Sequence, residues 1–361
     1  MSLVVSRGWV GKAIAGAGSG GDVTTSTKWP NLFIVGAVKS GTTSLYAYLR
    51  QHPDIFFPEM KEPHFFTKPA PSEAQKHLIT FVGDEVSYLR LYDRAGDKRF
   101  RGDASPSYLW SARAAADIAA VSPQARIIVI LRDPIERAYA QYLMDYSEGA
   151  IDRPFLEALD IDWHRPDKGW GVSQLYVELG LYTEQIRRYR ALFGHERVLI
   201  LLLEDLKKDA QAVLARIAHF LEVPAGPMAS VDTGEAHNHY KEPKGPWARR
   251  LAGHPVSRFL GARVVPRRLG EYIWGHWMQK EAPKPPIDPR AAAFLQDIYT
   301  PEILALEAEL GRPLAELRRS WMDAKRLAAA RVPLVPPVPC EGHTGRGAGP
   351  VPGSDRLDAP S

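Results

Sequence analysis

The stretch Phe33-Ile34-Val35-Gly36-Ala37-Val38-Lys39-Ser40-Gly41-Thr42-Thr43-Ser44-Leu45 constrains this chain more than any other. A short apolar run, Leu32 to Gly36, ends in a loop with two glycines, and a helical pattern follows over 43–51. Gly36 and Gly41 open backbone conformations closed to other residues. The loop amides, from Lys39 through Ser40 to Ser44, can then converge on an anion at the positive end of the helix. Thr42, Thr43 and Ser44 add hydroxyl donors, and Lys39 adds a full charge. The spacing departs from the standard nucleotide loop GxxxxGK[ST]: Lys39 stands two residues before Gly41, and Thr42 holds the usual lysine position. That weakens a plain ATPase or GTPase reading. A strand-to-helix turn with threonine caps and a solvated lysine is the plainer alternative.

Two more runs, Arg126–Leu131 and Val198–Leu203, are apolar on both faces, as parallel strands are when helices cover both sides of a sheet. Helical patterns lie at 43–51, 111–120, 134–147 and 183–193. The alternation predicts an α/β fold, a single doubly wound parallel sheet flanked by helices. From about 290 to 325 the pattern is helical, with Pro301 restarting it and Gly311-Arg312-Pro313 interrupting it. Residues 1–28 read as a disordered leader, 29–330 as the folded domain, and 331–361 as a disordered Pro/Gly-rich tail. With one cysteine in 361 residues, Cys340, no internal disulfide and no four-cysteine zinc site can form. The expected location is cytoplasmic. No stretch is apolar enough for a membrane span. The net charge of +4 carries no motif for nucleic-acid binding.

The second run leads into Arg132-Asp133-Pro134-Ile135-Glu136. Asp133 suits a helix N-cap, Pro134 the first helical position, and Glu136 a capping-box partner. Ligands bind at the carboxyl edge of such sheets, which is where Arg132 would stand. A salt bridge near the helix start is its plainer role.

Residues 32–52 and 126–143 together resemble the sulfotransferases that use 3′-phosphoadenosine-5′-phosphosulfate, especially the heparan-sulfate type and its bacterial relatives, built on a P-loop NTPase-like sheet. The matching pieces are GAVKSGTTSLYAYLRQHPDIF from Gly36, KEPHFF from Lys61, DASPSYL from Asp103 and RIIVILRDPIERAYAQYLM from Arg126. They continue with GLYTEQIRRY from Gly180, RVLILLLEDL from Arg197 and the stretch from Ile287 to Leu314. They keep the family's order and span nearly all of the folded body. The resemblance implies that Lys39 to Ser44 bind the donor's 5′-phosphosulfate and Arg132 its 3′-phosphate. The family usually has a serine eight residues after that arginine. Ala140 stands there, with Gln141 as a conceivable substitute. A lysine common before the SPSYL-like segment is replaced by Ala104.

The resemblance makes Glu62 the base that takes the acceptor's proton and Lys39 the balance for charge on the leaving phosphate. Pro63 biases Glu62 toward an extended backbone, which would put Glu62 and His64 on one side. His64 is the third candidate: it could orient Glu62, contact the acceptor or serve as base, or simply be a packed histidine. Ser105 to Trp110 could line the acceptor side or belong to the core. The basic segment 241–268 could hold a polyanion or touch an anionic membrane. Lys280 and Lys284 are weak donor contacts. The expected reaction is sulfuryl transfer to a hydroxyl or amine of a carbohydrate or small metabolite, with no metal. A P-loop kinase using Glu204-Asp205 and ATP–Mg²⁺, or a catalytically weakened relative, are the alternatives. Nothing in the sequence gives the oligomeric state.

Overall fold

A computed structural model describes residues 29–68, 81–233, 241–243, 245 and 279–331. The expected leader, the tail from residue 332 and nearly all of the basic segment 241–268 lie outside the described residues. Five strands form one sheet: β1 (Leu32–Gly36), β2 (Ile55–Phe56), β3 (Phe100–Asp103), β4 (Arg126–Leu131) and β5 (Val198–Leu202). All pair in parallel in the order β2-β3-β1-β4-β5. The main helices are α1 (Thr42–Leu49), α2 (Glu85–Arg90), α3 (Ser107–Trp110), α4 (Ala114–Val121), α5 (Pro134–Ser147), α6 (Phe155–His164), α7 (Tyr182–Phe193), α8 (Leu203–Lys208), α9 (Ala210–Leu221), α10 (Ala225–Ala229) and α11 (Pro289–Leu310).

The alternation of side chains along each strand explains the two covered faces. Phe33, Val35, Ile127, Val129 and Leu131 pack with Ile118 of α4 and Tyr182, Ile186 and Tyr189 of α7. Leu32, Ile34, Ile128, Ile130 and Leu201 pack on the other side with Leu45 and Leu49 of α1 and Leu214 and Ile217 of α9. The expected doubly wound α/β sheet is therefore the observed one.

Two strands carry no sequence signal. β2 has two residues, and β3 is Phe-Arg-Gly-Asp. Asn31 stitches β3 beside β1: its carboxamide accepts from the Arg101 amide at 2.7 Å and donates to the Arg99 carbonyl at 2.9 Å. Pairing, not propensity, makes this strand. The helix near the C-terminus also differs from expectation. α11 runs unbroken through Pro301 for 22 residues. A helix-interior proline costs about 3 kcal/mol. Burial of Leu295, Tyr299, Ile303 and Leu306 offsets it, and the Tyr299 hydroxyl donates to the Val177 carbonyl at 2.9 Å. Gly311, at φ 65°, ends the helix as the sequence suggests.

Candidate active site

The carboxyl ends of β1 and β4 lie side by side at the centre of the sheet, and the chain leaves them toward α1 and α5. That is where an open α/β sheet binds ligands. After β1 the loop is tight. A Cβ on Gly36 would come within 2.7 Å of Leu109 Cβ, and one on Gly41, at φ 95°, within 2.8 Å of Leu203 Cδ1. Lys39 itself takes φ 59°. Ser40 and Thr42 are buried, whereas Lys39, Gly41, Thr43 and Ser44 are partly open. The Ser40 hydroxyl turns to the Val38 carbonyl at 3.4 Å. So of the three expected hydroxyl donors Thr43 and Ser44 are partly open and Thr42 is buried, and Ser40 would act through its backbone.

Lys39 is the charged centre. Among the described residues its hydrogen bond goes to Met144 Sδ of α5, at 3.4 Å, and a thioether is a poor acceptor for an ammonium. Burial lowers its pKa, opposed by Glu148, Asp145 and Glu62. Arg132 meets the same loop: Nη1 donates to the Lys39 carbonyl at 3.2 Å, and Nη2 donates to Glu136 Oε2 at 2.9 Å. Asp133 caps α5 by accepting from the Ile135 and Glu136 amides, as expected. Glu136, in contrast, completes no capping box. Its carboxylate holds Arg132 in place. Lys284 joins this corner. Its ammonium lies 4.8 Å from the centre of the Tyr139 ring, and desolvation together with Arg132 pushes its pKa down to about 8.

The partly open residues Glu136, Ala140 and Met144 follow one another at four-residue steps along α5. Ala140 thus sits between the partner of Arg132 and the partner of Lys39. Gln141 is no substitute for the missing serine. It is buried one step away, where Oε1 accepts from Arg137 at 2.8 Å and Nε2 donates to the Gln174 carbonyl at 2.5 Å.

Glu62 and His64 come together, though not by the expected route. Neither is extended: both lie in the left-handed region, at φ 62° and 55°. Alternation along an extended strand therefore does not explain their pairing. The fold imposes it. Phe65 stacks on Tyr88 with ring centres 4.2 Å apart, and Phe66 packs edge-on against Phe33, Tyr88 and Tyr108. With these two rings anchored in the core, His64 Nε2 comes 3.5 Å from Glu62 Oε2. Lys61 donates to the other carboxylate oxygen. Burial raises the Glu62 pKa, but the bonds from His64 and Lys61 outweigh it and hold the carboxyl at about 2.

Behind His64 lies a buried polar network that the sequence reading missed. His64 Nδ1 is 2.6 Å from Ser107 Oγ, which is 2.6 Å from Thr67 Oγ1. The His64 amide donates to Ser105 Oγ at 3.2 Å, and Ser105 donates to Asp103 Oδ1 at 2.7 Å. Asp103 Oδ2 accepts from Tyr88 and Tyr108 at 2.6 and 2.8 Å. Burial raises the Asp103 pKa against these bonds. Tyr108 is therefore core, not acceptor surface. Trp110 is half-buried beside Val38, Leu175, Leu179 and Trp170. Asp103 at the end of β3 and the two serines of DASPSYL were the available signal.

Glu204 and Asp205 do not end a strand. They lie in α8, where Glu204 pairs with Lys207 and Arg319, and Asp205 with Arg216. Among the described residues no cluster of three or more His, Cys, Asp or Glu is placed to hold a metal ion.

The glycine loop after β1, the arginine that follows β4 and the carboxylate–histidine pair of the 61–66 segment make up the candidate site of this α/β sheet. Comparison with known proteins names the family. The chain matches the profile of the Sulfotransferase family over residues 30–227, more than half of its length, and it belongs to that family. It is 27% identical over 261 residues to human heparan sulfate glucosamine 3-O-sulfotransferase 3B1, covering 68% of this chain and 61% of that protein. It is 27% identical over 257 residues to mouse carbohydrate sulfotransferase 15, covering 55% of this chain and 44% of that protein. The chain thus spans about half to three-fifths of these relatives. A crystal structure of a sulfotransferase from Alicyclobacillus acidocaldarius superposes with a TM-score of 0.62 at 28% identity, covering 81% of this chain and 99% of that one.

Proposed function

We propose that the protein moves a sulfuryl group from 3′-phosphoadenosine-5′-phosphosulfate to a hydroxyl or amine of a carbohydrate or small-metabolite acceptor. One observation carries this reading. Arg132 is bonded to the backbone of Lys39, so a cation for a distal phosphate and a cation for the transferring group are locked to one loop. The half-buried ammonium of Lys39, whose hydrogen bond among the described residues goes to a thioether, fits an anionic group. Arg132 and Lys284 would hold the 3′-phosphate, and the amides of the 39–44 loop with Thr43 and Ser44 the 5′ end. The bound donor supplies an activated sulfuryl group and a phosphate able to leave.

The rest is done by the chain. Glu62 is fully ionised at neutral pH and takes the acceptor's proton on a carboxylate oxygen. His64, fixed by Ser107, orients that carboxylate. Lys39 balances negative charge as it builds on the leaving phosphate. The test is calorimetric titration of the desulfated donor, 3′-phosphoadenosine-5′-phosphate, against ATP–Mg²⁺. Micromolar binding of the bisphosphate, lost in Arg132→Ala, is the expected result. Binding of ATP–Mg²⁺ without the bisphosphate overturns the reading.

A further inference from the structure

Lys39 and Met144 join the glycine loop to α5. The Lys39 ammonium donates to Met144 Sδ at 3.4 Å, across 105 positions of chain. A thioether is a weak acceptor and a polarisable, adaptable neighbour. It steadies the ammonium without holding it firmly. The stronger acceptors named around the pair have donors of their own. Glu136 accepts from Arg132, Glu62 from Lys61, and Asp145 Oδ2 from the Tyr176 hydroxyl at 2.8 Å. Lys39 thus rests on sulfur and can move onto an arriving anion.

Sulfur is also the atom here whose acceptor strength chemistry can change. A sulfoxide oxygen is polar and a strong acceptor where the thioether was weak. Met144 is partly open, and so is Ala140, one turn earlier on the same face of α5. Ala140 carries only a methyl group, so no longer side chain from that position shields the sulfur. The other methionines among the described residues differ. Met228 is buried in the core, and the Met60 and Met322 sulfurs, though on partly open residues, accept no hydrogen bond from Lys39 or Arg132.

Building on the sulfate-donor reading, we propose that Met144 is an oxidative modification site, and that its sulfoxide holds Lys39 away from the donor. Hydrogen peroxide serves as the oxidant. The sulfur lone pair forms an S–O bond to one peroxide oxygen as the O–O bond breaks. The second oxygen leaves as hydroxide, takes the proton from the first, and departs as water. Sulfur loses two electrons and the peroxide gains them. The new oxygen accepts from the Lys39 ammonium and competes with the donor's 5′-phosphate for it. A dithiol-driven sulfoxide reductase reverses the step: the oxygen leaves as water, the dithiol becomes a disulfide, and the thioether returns.

The test uses the full chain treated with hydrogen peroxide and then catalase. Peptide mass spectrometry locates the added oxygen, and calorimetry reads the affinity for 3′-phosphoadenosine-5′-phosphate. Sulfoxide at Met144 should weaken binding by about tenfold, the effect of losing one charge-assisted hydrogen bond to a competitor. A methionine sulfoxide reductase with dithiothreitol should restore it. Met144→Leu should keep its own untreated affinity through the same dose, and Met144→Gln, with a fixed amide oxygen, should bind weakly before any oxidant is added. In Lys39→Ala the sulfoxide should have no further effect, which a general disturbance of the fold would not reproduce. No oxygen on Met144 at doses that oxidise Met60 or Met322, a loss below about threefold, or a loss of equal size in Met144→Leu or in Lys39→Ala overturns the proposal. If untreated wild type does not bind the bisphosphate, the donor reading falls first and this inference with it. If it binds and Met144 oxidation leaves binding intact, this inference alone falls.

Discussion

The donor side and the acceptor side of this site are built by different means. The donor side is local. Lys39 to Ser44 and Arg132 each follow directly on a strand, and backbone amides and adjacent residues do most of the work. The side proposed for the acceptor is assembled from three separated segments: 61–66, 103–107 and 168–179. Its parts are held by core aromatic rings and buried hydroxyls. The first region is net basic, with Arg132 and Lys284 against Glu136. The second carries the Glu62–His64 pair among aromatic rings. The two regions should respond separately to substitution.

The sharpest way to break this division is through Lys39, which belongs to both sides. Lys39→Ala should lower turnover by about 10²–10³-fold, the range for removing a preorganised electrostatic group, read as single-turnover sulfate transfer. Glu62→Gln should cost about 100-fold or more in turnover, while calorimetry shows the bisphosphate still bound at wild-type strength. Loss of bisphosphate binding in that variant would mean the two sides are not separable. Asp103→Asn probes the network behind His64. It should lower kcat by about tenfold through misplaced hydrogen bonds of about 1 kcal/mol each, with bisphosphate affinity unchanged. Ala140→Ser acts on the donor side alone. A hydroxyl between Glu136 and Met144 should tighten bisphosphate binding by about two- to tenfold, since a hydrogen bond contributes about 0.5–1.5 kcal/mol. The mildest change is Lys61→Met. Lys61 lowers the Glu62 pKa, so its removal raises that pKa. The acid limb of the kcat/KM profile should then move to higher pH if Glu62 is the base.

The same contrast explains what the sequence revealed. β1, β4, β5, the glycine loop and the Arg132 turn were legible because period and composition are local signals. β2 and β3 were not, since a tetrapeptide with two charges becomes a strand only when Asn31 and β1 pair with it, and two residues only when β3 does. Glu62 and His64 could be named from their segment, but the reason for their pairing could not. It lies in positive-φ backbone held by Phe65 and Phe66 against Tyr88, residues distant in the chain. Asp145 gave no signal, because its hydrogen-bond donor, Tyr176, stands 31 positions later. Glu136 was misread because it stands three residues after Asp133, as a capping box requires, and also four after Arg132, as a helical ion pair requires.

Asp133 does more than begin α5. Its second carboxylate oxygen accepts from both the amide and the hydroxyl of Ser320, each at 2.9 Å and 187 positions down the chain. During synthesis the sheet, the glycine loop and Arg132 have all left the ribosome long before Ser320 does. The turn that carries Arg132 is therefore completed among the last contacts of the fold. A nascent chain would hold its central sheet well before it could grip the donor, and a chain ended ahead of Ser320 would stay in that earlier condition.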